Sequence, residues 1–115
     1  MSLQNVTFKY PNTDNLILDN FNYEFTSSHC YALAGLSGCG KSTIASLIIR
    51  LYELQNGAIL FNGTDANSIR LPVLRKAITL STQNDPIIQG INIQKNVCFG
   101  EAYDAQRMQK ALELA

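Results

Sequence analysis

Gly35-Leu36-Ser37-Gly38-Cys39-Gly40-Lys41-Ser42-Thr43 fits the pattern G-x-x-x-x-G-K-[ST], a phosphate-binding loop. Its flanks agree with it. Upstream, His29-Cys30-Tyr31-Ala32-Leu33-Ala34 reads as a short buried strand. Downstream, Ile44, Leu47, Ile48 and Leu51 recur at i, i+3, i+4 and i+7, the apolar stripe of an amphipathic helix expected to run to about Tyr52. Strand, glycine loop and helix together let successive backbone N–H groups wrap a phosphate chain at a helix N-terminus. In such a loop Lys41 reaches the β- and γ-phosphates and the Ser42 hydroxyl ligates Mg²⁺.

Working outward, the first third is rich in strand formers. Leu3, Val6, Phe8 and Tyr10 predict a strand ending at Pro11, with a turn over residues 11–15. Phe21, Tyr23 and Phe25 alternate with polar residues, as in a half-exposed antiparallel strand. Beyond the loop's helix, Asn56-Gly57 signals a turn, Ala58–Phe61 a strand and Asn62-Gly63 its close. Asn67 to Lys76 predicts a short helical turn interrupted by Pro72, and Ala77–Ser81 another strand. Ile93 to Val97 fits one helical turn, and Asp104 caps a helix running to Ala115. Strands first and α/β alternation afterwards imply a small antiparallel sheet laid against an α/β nucleotide-binding core.

Composition narrows the function classes. The 115 residues suit one small domain, and 46% hydrophobic residues suit a chain with a core. Formal charge is zero and like charges form no block, which argues against a nucleic-acid or membrane-surface patch. No segment approaches the roughly 20 apolar residues that cross a bilayer, and no signal peptide is expected. Cys30, Cys39 and Cys98 lack paired spacing, so neither a disulfide framework nor a zinc site is expected, and a reducing setting is the simplest reading.

By Gln83 the pattern resembles the ATP-binding cassette family, and in detail the nucleotide-binding domains of exporter-type ABC transporters. Val6-Thr7-Phe8-Lys9-Tyr10-Pro11 is similar to that family's V-x-F-x-Y segment, whose aromatic residue is the A-loop. Gly35 to Thr43 is similar to its Walker A, and residues 54–63 to its L-x-x-G-x-I-x-x-x-G strand. Leu74-Arg75-Lys76-Ala77-Ile78 resembles its L-R-x-x-I, Ser81-Thr82-Gln83 its Q-loop, and residues 90–97 the exporter segment T-I-x-x-N-I. The resemblance spans the chain but only about the first half of such a domain. It implies that Walker B, the glutamate after it, the L-S-G-G-Q signature and the switch histidine would lie beyond Ala115. Asp65 and Asp85 follow strands but sit in turn sequences, so neither is expected to replace the Walker B carboxylate.

The fold so implied is the RecA-like part of a P-loop NTPase core, with an N-terminal antiparallel β-subdomain (1–28), Walker A to Q-loop (29–83) and the start of the helical subdomain (84–115). The resemblance implies ATP and Mg²⁺ as cofactors. Tyr10 would stack on adenine, Gly35, Leu36, Ser37, Gly38, Cys39, Gly40, Lys41, Ser42 and Thr43 would wrap the phosphates, and Ser42 and Gln83 would attend the metal. The alternative for Tyr10 is a strand-end aromatic on the core, against which its place just before a turn predicts partial exposure, and on the residues alone Gln83 reads equally as a plain strand-end polar group. Cys39 reads as a small residue tolerated in the loop or as a thiol whose modification would block nucleotide binding. His29 reads as a surface residue.

The resemblance further implies a transmembrane domain and a second cassette, docked head-to-tail, as partners. It implies a location at the cytoplasmic face of a membrane, no nucleic acid, and negligible hydrolysis by this chain alone. A soluble ABC ATPase of DNA repair or chromosome organisation, a P-loop small-molecule kinase and a binding-only fragment are the rival readings.

Overall fold

The computed structural model describes residues 1–82 and 87–114, which fall into two units, Met1–Leu80 and Ser81–Ala115. In the first unit, β1 (Ser2–Phe8), β2 (Leu18–Glu24), β3 (Asn56–Phe61) and β4 (Thr64–Asp65) form a four-stranded sheet in the order β2-β1-β3-β4. Every pairing is antiparallel. The expected antiparallel sheet is therefore present, with β3 and β4 added to it from beyond residue 28. The Asn62-Gly63 turn closes the β3–β4 hairpin with both residues at positive φ, 50° and 81°, as a two-residue hairpin turn requires.

Strict alternation would put Leu3 and Val6 on opposite faces of β1, yet both are buried. Asn5, at φ 51°, makes the difference. The register slips between Leu3 and Val6 against β2, and between Gln4 and Thr7 against β3, so this bulge returns Val6 and Phe8 to the face of Leu3. The Asn5 N–H is satisfied by Asn22 Oδ1 at 2.9 Å instead of by a ladder carbonyl. Gly57 lies against the bulge at φ 87°, where a Cβ would collide with the carbonyls of Gln4 and Asn5. Only glycine fits there.

Between β2 and β3 runs α1 (Lys41–Ile48), which sets Ile44 and Leu47 into one core with Leu3, Val6, Phe8, Leu18, Ile59 and Ala66. The helix stops about four residues short of the expected end. Arg50 adopts φ 53°; Leu51 N–H bonds Ser46 O at 2.9 Å and Arg50 N–H bonds Leu47 O at 3.0 Å, a Schellman closure. Leu51, past that closure, is 52% exposed instead of continuing the stripe. The unusual backbone at Arg50 is held from its side chain: Nη1 donates to Ala66 O (3.0 Å) and Ile69 O (2.8 Å). Arg75 in turn donates from Nε to Ile49 O (3.2 Å) and from Nη2 to Arg50 O (2.9 Å). One guanidinium, that of Arg75, thus meets the carbonyl end of α1, while that of Arg50 reaches from this end to Ala66 and Ile69.

Residues 66–77 differ from the expected interrupted turn. They form a 3₁₀ turn over Ala66–Ser68, capped by Asp65, and α2 (Leu71–Ala77). Pro72 sits in the first turn of α2, where no intrahelical N–H is lost, so it starts the helix instead of breaking it.

The strands expected over residues 29–34 and 77–81 are not formed: 29–34 and 78–80 lie outside every ladder, and Ala77 ends α2. A strand exists only through its neighbours' hydrogen bonds, and the four strands of the sheet pair among themselves. Apolar content made both segments readable as strands, but it does not supply a neighbour.

The second unit holds α3 (Ile93–Cys98) and α4 (Ala105–Leu114), both as expected to within a residue or so. Asn92 Oδ1 accepts from Lys95 N–H at 2.9 Å, and Asp104 Oδ1 accepts from Gln106 and Arg107 N–H at 2.9 and 3.0 Å. These caps satisfy first-turn donors that have no helical acceptor. Asn96 fastens the approach to α3, accepting from Ile88 N–H (2.8 Å) and donating to Ile88 O (3.2 Å).

Candidate functional site

The glycine loop is exposed from Gly35 to Cys39 and runs into α1 through Gly40, which is buried at φ 94°. A Cβ on Gly40 would lie 2.9 Å from Ile17 Cγ2, so both its conformation and its packing demand glycine. No side chain caps the start of α1, and no acidic residue lies in its first turn. The amides of that turn have no helical acceptor, and the helix dipole places partial positive charge there. An anion meets donors and no competing carboxylate.

Lys41 spans the loop. Its Nζ donates to Gly35 O at 2.9 Å and Leu36 O at 2.7 Å, with Cys39 Sγ 3.6 Å away. One ammonium therefore gathers the carbonyls of the loop's first residues. Ser42 is exposed at the second position of α1, and its carbonyl accepts from Ser46 Oγ at 3.0 Å. Cys39 is an exposed free thiol. The donor set — loop amides, one ammonium, one exposed hydroxyl — fits a magnesium-bound polyphosphate.

Thr43 is different. It is 4% exposed, and its Oγ1 shares a hydrogen bond of 2.9 Å with the Tyr10 hydroxyl. Tyr10 is half-buried, with edge contacts to Phe8 and Tyr52, both at a centroid separation of 5.1 Å. The structure thus brings Tyr10 to the phosphate-loop helix, 33 residues along the chain. Tyr52 was not singled out from the sequence: its role depends on where α1 ends, which periodicity did not reveal. Gln83 lies outside the described residues. Asp65 is occupied locally, its Oδ1 accepting from Asn67 N–H at 2.7 Å as the cap of the 3₁₀ turn. His29 is exposed, and its Nδ1 lies 2.8 Å from Ser27 O and 3.2 Å from Thr26 Oγ1, both contacts within three residues of it. Among the described residues no group of three or more His, Cys, Asp or Glu could hold a metal ion.

Comparison with known proteins extends this geometry. The family model described as ABC transporter matches residues 18–115. Over alignments of 117 residues the chain is 38% identical to an ATP-dependent lipid A-core flippase of Pectobacterium atrosepticum and 36% identical to that of Escherichia coli K12. Those alignments cover 100% of this chain and 20% of each relative, so the chain spans about a fifth of the length of the curated relatives it matches. A solved structure of a bacterial Atm1-family ABC exporter with ATP bound is similar at TM-score 0.82 and 31% identity, over 92% of this chain and 18% of that one.

Proposed function

Since the chain belongs to the ABC transporter family, we propose that it is the ATP-binding N-terminal part of a cassette whose complete form hydrolyses ATP to drive export of a substrate across a membrane. The observation that carries this reading is the loop itself: exposed, bridged by Lys41 Nζ and opening onto uncapped first-turn amides without an acidic neighbour. ATP is the nucleotide, and Mg²⁺, for which Ser42 and Gln83 would supply oxygen ligands, would neutralise phosphate charge.

Each residue then has a role. The amides from Gly38 to Thr43 bind phosphate oxygens, and Lys41 neutralises charge that grows on the γ-phosphoryl group. Ser42 supplies a hydroxyl to Mg²⁺, whose chemistry is charge neutralisation between the phosphates. Tyr10 offers its ring to adenine, and Gln83 positions water or metal. The complete cassette pairs head-to-tail with a second one and docks on a transmembrane domain, at the cytoplasmic face of the membrane. Among the described residues no helix is long and apolar enough to cross a membrane. The sequence contains no L-S-G-G-Q stretch. We propose that this chain alone binds ATP and turns it over negligibly, and steady phosphate release by the purified chain would refute that.

Calorimetric titration with Mg·ATP tests the binding. The wild-type chain binds, and Lys41→Ala weakens binding by about tenfold to a hundredfold, the worth of a charge-assisted hydrogen bond. Equal affinities would remove the loop from the site. The flippase and exporter relatives lend no support to the DNA-repair or kinase readings.

A further inference from the structure

Tyr10 is held at its carbonyl by Thr13, at its ring by Phe8 and Tyr52 and at its hydroxyl by Thr43. Its carbonyl accepts from Thr13 N–H at 3.3 Å and from Thr13 Oγ1 at 3.0 Å. The residue before it, Lys9, is gripped twice by the Gln55 side chain: Lys9 N–H donates to Oε1 at 2.7 Å and Nε2 donates to Lys9 O at 3.2 Å. The ring meets Phe8 and Tyr52 nearly at right angles, at 81° and 87°. Its polar tip ends on Thr43 Oγ1, a hydroxyl on the first turn of α1. Buried hydroxyls need partners, and here each satisfies the other.

From this we propose that the Tyr10–Thr43 hydroxyl pair is a positioning link that fixes the aromatic ring relative to the phosphate loop. It sets the distance between the base-contacting and phosphate-contacting parts of the site. The inference rests on the nucleotide reading above and deepens it. A base and its triphosphate are joined by a ribose of fixed reach, so a ring anchored to the phosphate helix accepts the base without first being ordered. An unanchored ring retains its stacking surface but loses orientation, and ordering it on binding costs affinity. Thr43 is therefore assigned two separate tasks: its amide faces the phosphates and its side chain faces the tyrosine.

Titration of the 115-residue chain with Mg·ATP and, separately, with magnesium tripolyphosphate, which has no base, tests the link. Tyr10→Phe keeps the ring and removes the hydroxyl. It is expected to weaken ATP binding about fivefold, the worth of one neutral hydrogen bond, and to leave tripolyphosphate binding unchanged. Thr43→Val is expected to lower ATP-to-tripolyphosphate selectivity with Tyr10 present and to add nothing to that loss in the Tyr10→Phe background, whereas Thr43→Ser with Tyr10 present keeps the hydroxyl pair and wild-type selectivity. Far-ultraviolet circular dichroism confirms that each variant is folded.

If Tyr10→Ala weakens ATP binding while Tyr10→Phe does not, the link is overturned and the base contact stands. If both ligands weaken equally in Tyr10→Phe, the bond is merely structural and the inference fails. If Tyr10→Ala leaves ATP binding untouched, the base-contact reading fails and takes the link with it.

Discussion

The sheet with α1 and the α3–α4 unit contain similar kinds of residue and treat them in opposite ways. In the first, Phe8, Leu3, Leu47 and Val6 are almost wholly buried. In the second, neither helix buries a residue, and Ile93, Phe99 and Leu114 are 74%, 75% and 79% exposed. Local signals are equally good in both, since α3 and α4 carry side-chain caps that α1 lacks. Caps therefore decide where a helix begins, and a facing apolar surface decides whether its side chains leave water. The first unit draws stability from packing, the second mainly from local hydrogen bonds.

That contrast can be broken at its strongest point. Phe8→Ala deletes a ring that touches the core and also backs Tyr10 and Tyr52. It is expected to destabilise the first unit by about 3–5 kcal/mol, read as a lower urea midpoint. A loss under about 1 kcal/mol would mean that the sheet is not the stable part. A smaller effect sharpens the other side. Asp104→Ala leaves two first-turn amides without their acceptor and should cost about 1 kcal/mol, seen as faster hydrogen exchange at the start of α4 with the sheet unaffected. The smallest effect is expected from Ile93→Ser on α3. With so little area buried, it should change stability by no more than about 0.5 kcal/mol. A loss near that of Phe8→Ala would show that Ile93 is buried in solution.

The same contrast explains what could be read in the sequence. The glycine loop, the start of α1, the Asn62-Gly63 turn that closes β3 and the Asp104 cap are set by residues within a few positions of one another, and each was legible, although the short β4 that makes the turn a hairpin was not. Three features needed a partner far along the chain. Asn5 bulges where Gly57 allows close approach, Arg50 ends α1 by reaching Ala66 and Ile69, and Tyr10 meets Thr43. A period-two pattern would put Leu3 and Val6 on opposite faces because it does not anticipate an inserted residue. Residues 29–34 and 78–80 looked like strands because apolar content marks a wish for burial, while pairing depends on a neighbour that composition does not specify. At the site, Lys41 and the glycines followed from the motif. Tyr52 did not, because the helix was expected to continue through it.

The arginine pair at the end of α1 has a mechanical consequence. Four donated hydrogen bonds tie Ile49 and Arg50 to the segment from Ala66 to Arg75. The helix after the glycine loop is pinned at its far end, and one of the pins, Arg75, is a cation set against the negative pole of its dipole. A tilt of α1 would have to stretch the Arg75 bonds to Ile49 O and Arg50 O and so pull on α2. Force applied at either end of this short helix is felt at the other.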